Sequence, residues 1–151
     1  LNPALAGRPV FPDVAAAYPL TIAKEGGEDV VRDPIRIDEA GRLVVLSDVP
    51  ENAVMYLGFA ERDAVLAAAG RAVTDLAVKG DISRCILFDC YSRSLMLGAD
   101  FSRELQIAGG KLSALTAVKA EGVLAMGEIA SNGKGNLEFY NKTFVVAAAA
   151  R

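Results

Sequence analysis

A helical stretch that runs almost directly into a wholly apolar tetrad constrains this chain more than any other feature. From Glu61 to Lys79, Val65, Ala69, Ala72, Val73 and Leu76 recur at helical spacing, with Arg62, Asp63, Arg71 and Asp75 on the other faces. Glu61 and Asp63 suit the positive end of the helix dipole and Lys79 the negative end, and Gly80 is a stop signal. Shortly afterwards Cys85-Ile86-Leu87-Phe88 forms a continuous apolar run of strand length, the pattern of a strand covered on both faces. With 151 residues, 52% of them hydrophobic, the chain is about one ordinary domain, long enough to bury a core without disulfides or metals. The expected fold is α+β: a single domain with a mixed, largely antiparallel β-sheet and at least two packed helices.

The remaining elements are read around that unit. Residues 1–18 carry Pro3, Pro9 and Pro12 and run up to Pro19, which predicts an irregular or briefly helical lead-in, or the end of a preceding domain. The main domain then spans 19–151. Leu20 to Ala23 and Val54 to Phe59 are strand candidates. The acidic segment Glu25 to Asp33 lacks cation-loop spacing and reads as a solvated loop. Alternating Ile35 and Ile37, a turn at Glu39-Ala40-Gly41 and the return Leu43 to Leu46 predict a hairpin. A second helix is expected from about Asp100 to Ala108, with Leu97, Phe101, Leu105 and Ala108 on one side and Gly109-Gly110 ending it. Ala114 to Val118, Val123 to Ile129 and a long Leu137 to Ala149 are the last strands, the final two antiparallel across the turn Ser131 to Asn136.

Composition narrows the function classes. The chain holds 16 basic and 19 acidic residues, a net charge of −3, which supplies no field for nucleic-acid phosphates. It has no histidine, so a Ser-His-Asp triad, an imidazole metal site and a proximal haem ligand are all excluded. The chain therefore looks poorly equipped to move protons near neutral pH. Cys85 and Cys90 differ in parity, which places them on opposite faces of a strand and not in a disulfide. No apolar stretch reaches membrane-span length, and no signal peptide is visible, although the sequence begins Leu1-Asn2-Pro3 and not with Met. A cytoplasmic piece of a longer protein, without membrane insertion, is the expectation. No phosphate loop, dinucleotide fingerprint or cofactor motif is present, and no cofactor is expected.

Two segments resist a purely structural reading. Cys90-Tyr91-Ser92-Arg93 leaves the carboxyl end of the strand Arg84 to Cys90, where ligands tend to bind in sheets with helices packed on them. Glu128 stands in the apolar stretch Met126-Gly127-Glu128-Ile129, with a glycine beside it that permits close approach. A carboxylate there must find a partner or change its ionisation. Arg32 is either an anion contact or a solvated strand end.

The ordered set Arg32-Asp33-Pro34, Ile37 to Leu43, Cys90-Tyr91-Ser92-Arg93, Gly127-Glu128-Ile129 and Asn141-Lys142-Thr143 resembles the FIST C-terminal domain, from about Tyr18 to Ala149. That resemblance implies a sensory, small-ligand-binding module of bacterial signal-transduction proteins. Its expected partners are a FIST N-terminal domain or a signalling output domain, and amino acids are proposed ligands. An amino acid offers a carboxylate for an arginine fork and an ammonium for a carboxylate, so Arg93 and Glu128 are the expected ligand contacts. Cys90, Ser92 and Asn141 are expected to line the pocket. The alternative is that Arg93 and Glu128 simply pair with each other as a structural ion pair. Two other functions stay open: an enzyme with Cys90 as nucleophile, Arg93 lowering its pKa and Glu128 as acid–base partner, or a structural docking domain.

Overall fold

The computed structural model describes residues 6–76, 81–131 and 136–151. Its centre is the predicted strand, β6 (Ile82–Cys90), flanked by β10 (Phe144–Ala150) antiparallel and β7 (Glu121–Ala125) parallel. The register sets Phe144 beside Asp89 and Val123 beside Phe88. A parallel neighbour needs a crossover, and helices α3 (Tyr91–Leu97) and α4 (Phe101–Ser113) supply it. The predicted long helix is α2 (Arg62–Thr74). The Glu61 carboxylate caps it, accepting from the backbone N–H groups of Asp63 at 3.2 Å and Ala64 at 2.7 Å. Lys79 and Gly80 lie outside the described residues.

Helices α2 and α4 pack on each other and on one face of the sheet. Ala69, Val73, Ala108 and Leu112 from the helices close on Cys85 and Phe144 to form the core. Each fully buried aliphatic side chain there adds about 1.5–3 kcal/mol. Around this layer sit three smaller antiparallel units. In one, β1 (Leu20–Ile22) lies between β2 (Val30–Arg32) and β5 (Met55–Leu57). The predicted hairpin is β3 (Pro34–Ile37) with β4 (Leu43–Val45), closed where Gly41 takes φ 78° and Asp38 accepts from the Ala40 and Arg42 backbone. The third pairs β8 (Glu128–Ala130) with β9 (Glu138–Tyr140). The lead-in forms brief helical turns, Val10–Val14 and then α1 (Ala15–Ala17), whose three alanines are buried.

Several expectations need correction. Helix α4 does not end at Gly109-Gly110 but continues to Ser113, which brings Leu112 into the core; that burial outweighs the glycines' cost of about 1 kcal/mol each. Its buried row is Glu104, Ala108 and Leu112, whereas Leu105 is 45% exposed. Ala114 to Val118 is a loop and not a strand, because the helix runs into it and Thr116 Oγ1 accepts from the Val118 N–H. The acidic segment ends in strand β2, with Val30 and Asp33 buried. The long final strand divides at Asn141-Lys142-Thr143, where Lys142 takes φ 61°; one half pairs with β8 and the other with β6. Strand β6 is covered on both faces only near its end. Ile86, opposite the helix layer, remains 38% exposed.

The strand expected over Val123 to Ile129 breaks between β7 and β8 at Gly127, and here the glycine is needed for space. A Cβ at this position would collide with the Cζ edge of the Phe139 ring. Gly127→Ala should therefore cost about 1–3 kcal/mol through overpacking. Urea unfolding checks this, and adding Phe139→Ala should recover part of the loss. An unchanged midpoint in the single variant would contradict the packing account.

Candidate functional site

The site is built at the elbow where β6 turns into α3. Cys90 ends the strand in an extended conformation, and its backbone N–H donates to Thr143 O at 3.1 Å, pinning the elbow to the break before β10. That break carries Asn141 and Lys142, both buried. Asn141 Oδ1 accepts from the Asp33 backbone N–H at 3.2 Å, and its amide donates to Tyr140 O. Lys142 Nζ lies 3.1 Å from Asp33 Oδ1 and donates to Ser92 Oγ at 3.4 Å. Ser92 Oγ is in turn 3.3 Å from Cys90 Sγ. Asp33, Lys142, Ser92 and Cys90 thus form one polar chain joining the β2–β3 corner, the β9–β10 break and the elbow.

A pocket of about 230 Å³ opens on this chain. Asp33, Cys90 and Ser92 form its polar wall, and Ile35, Leu46, Leu95 and Met126 are among its apolar residues. The second Asp33 oxygen, Oδ2, is buried and has no hydrogen-bond partner among the described residues. Such an oxygen is costly unless something supplies a donor.

Of the residues singled out from sequence, Cys90 and Ser92 line this pocket and Asn141 holds the Asp33 backbone behind it. Glu128 sits one layer further in. It accepts from Thr143 Oγ1 at 2.6 Å and hydrogen-bonds the Cys90 thiol, while burial pushes its carboxyl above the usual range. Burial also pushes the Cys90 thiol up, only partly opposed by Ser92 and the Lys142 backbone. A nucleophilic cysteine needs the opposite shift.

Arg93 lies elsewhere. It is 3% exposed on the helix side of the elbow and does not border the pocket. Its guanidinium pairs with Glu104, lies 3.4 Å from Asp89 Oδ1, donates to Val65 O at 2.9 Å and Lys142 O at 3.2 Å, and sits over the Phe144 ring. Its carboxylate partners are therefore Asp89 and Glu104, not Glu128. Arg32 is neither a solvated strand end nor free for an anion. It is buried, donating to Asp48 O, Val31 O and Phe139 O.

Sequence reasoning passed over Asp33 and Lys142, although both fall inside quoted segments, and over Asp89 and Glu104. A signal for Asp89 existed, since it is the one carboxylate in the buried half of β6. Burial, reinforced by Glu104 and Glu128 and opposed by Arg93, pushes its carboxyl up to about 7.

Among the described residues, no helix is long and apolar enough to cross a membrane, and no cluster of potential metal ligands occurs. No curated protein and no solved structure matches the chain. The FIST C domain, a sensory domain of signal-transduction proteins, matches residues 6–131, a span that includes the β6–α3 elbow and Glu128 but stops before Asn141 and Lys142. A match over most of the length, on a fold of this class, decides the family: the chain belongs to the FIST C domain family.

Proposed function

We propose that this domain senses a small zwitterion, an amino acid, in the pocket beside Asp33, Cys90 and Ser92. The observation that carries the reading is the buried Asp33–Lys142 pair with Asp33 Oδ2 left unpartnered at the wall of a 230 Å³ pocket. In this reading the ligand's ammonium pairs with Asp33 and its carboxylate accepts from the Ser92 hydroxyl, while Lys142, which contacts both residues but does not border the pocket, supplies the balancing positive charge from behind. Ile35, Leu46, Leu95 and Met126 meet its side chain. Cys90 and Asn141 shape the polar wall. Arg93 and Glu128, first expected to touch the ligand, support the elbow and the β9–β10 break from behind. Ligand binding at three converging segments favours one arrangement of them. It can then bias an attached FIST N-terminal or output domain, provided that domain distinguishes the two arrangements.

A thermal-shift panel of amino acids tests this, each run beside its decarboxylated amine and its deaminated acid. A ligand at 100 times its Kd adds about 2.7 kcal/mol, a rise of about 5–10 °C for a domain of this size. The expected result is a rise with at least one amino acid and none with its two one-charge analogues. No rise across the panel, or equal rises with the analogues, overturns the assignment.

A further inference from the structure

Asp89 and Cys90 are neighbours on β6 and face opposite ways. Cys90 meets the pocket just described, whereas Asp89 meets a second and larger cavity of about 780 Å³ between α4 and the β6–β7 pair. That cavity is walled mainly by aliphatic and aromatic side chains, with Thr116 and the exposed Ser113 and Lys119 also lining it, and Leu105 and Leu124 in it are each 45% exposed. Large apolar side chains left that open in a concave site mark surface that gains by being covered. The polar feature at depth is unbalanced. Arg93 is one guanidinium facing two buried carboxylates, Asp89 and Glu104, with Glu128 also close enough to act on Asp89. Apart from the contact it shares with Glu104, neither Asp89 oxygen has a well-formed hydrogen bond among the described residues. Arg93 balances one of the two, so when both are ionised one buried negative charge lacks a buried cation among the described residues, at the floor of a mainly apolar cavity.

We infer that this cavity is a second ligand site, one that takes an amine with an apolar body, such as an alkylamine or arylalkylamine. The ammonium seats against Asp89 and supplies the missing positive charge, and the hydrocarbon covers Leu105, Leu124 and Phe101. When Asp89 is protonated, the incoming ammonium displaces that proton to water, so charge balances in either state. The site is independent of the amino-acid pocket, since the two lie on opposite faces of β6 and share no lining residue.

Calorimetric titration of n-hexylamine at pH 6.5 tests the inference, with 1-hexanol and hexanoate as controls of equal length. Hexylamine should bind at least about tenfold tighter than hexanol, the usual worth of a charge-assisted hydrogen bond, and hexanoate should not bind. Its apparent heat should change between buffers of different ionisation enthalpy, because a proton is released. Asp89→Asn should reduce hexylamine to the affinity of hexanol. Gly109→Leu should abolish both: Gly109 borders the cavity on helical backbone, and a Cβ there meets no atom within 4 Å, so the variant folds and fills the space. Equal binding of amine and alcohol, no binding of hexylamine, or unchanged binding to Gly109→Leu would each overturn the second site.

Discussion

Arg93→Met is expected to lower the unfolding free energy by about 3–5 kcal/mol, the cost of stripping one partner from a buried ion pair. The guanidinium pairs with Glu104, lies beside Asp89, and also donates to Val65 O of α2 and to Lys142 O at the β9–β10 break. Without it, two carboxylates stay in a water-poor interior and two carbonyls lose their donor. Set against a total stability of about 5–15 kcal/mol, the loss leaves the variant marginal at 25 °C. Arg93→Lys keeps the charge but not the planar fork, so it cannot serve both carboxylates and both carbonyls and should rescue only part of the loss. The triple variant Arg93→Met, Asp89→Asn, Glu104→Gln should be more stable than Arg93→Met alone, because it removes the stranded charges. Urea midpoints at constant m-value measure all three. A triple variant no better than the single one would mean that packing around Phe144, and not charge, explains the loss.

The stability of the domain should fall as pH rises from about 4 to about 7, and Asp89 is the cause. Burial and the neighbouring Glu104 hold its carboxyl near 7 in the folded chain, against a value near 3.8 when it is solvated. Between those limits the folded state binds a proton that the unfolded state has lost, so raising the pH draws the equilibrium toward unfolding. The full span is worth at most about 4 kcal/mol. Glu128, also raised by burial, acts in the same direction. Asp38 and Asp100, lowered by hydrogen bonds from Arg42 and Arg62 respectively, act in the opposite one at lower pH. The difference between wild type and Asp89→Asn isolates the Asp89 contribution. Denaturant unfolding at pH 4.5, 6 and 7.5 should show the variant gaining on the wild type as pH rises. Parallel profiles would contradict the buried, proton-sharing account.

The first result turns on a residue whose importance was visible in the sequence and whose partners were not; the second turns on one of those partners, Asp89. Arg93 stood out because it follows a buried strand, and Glu128 because it interrupts apolar residues; pairing the two was natural. Nothing local says that Glu104, eleven residues on in a helix, occupies the core row of α4 and reaches back to Arg93. The helical period placed Ala108 correctly and read Leu105 as core, because periodicity assumes that the buried row is apolar. Asp33 and Lys142 meet across more than a hundred residues of chain, which no spacing rule spans. Short-range signals did better. The helix start at Glu61 and the Glu39-Ala40-Gly41 turn are each decided within a few residues, and the structure has both. The missed strand β2 and the misread Ala114 to Val118 follow from tertiary placement: Val30 is buried by β1, and the extension of α4 consumes the residues before the loop.

The central claim is that Asp33 and Ser92, backed by Lys142, receive the two charges of one ligand. The most direct test is calorimetric titration of the amino acid that gives the largest thermal shift into the wild type and into Asp33→Asn, Lys142→Met. Neutralising both members of a buried pair leaves no stranded charge, so the double variant should stay folded. The predicted result is a loss of affinity of at least about a hundredfold, the ammonium's partner and the positive charge behind the carboxylate's partner being removed together. Binding to the double variant within about threefold of the wild type would contradict the claim.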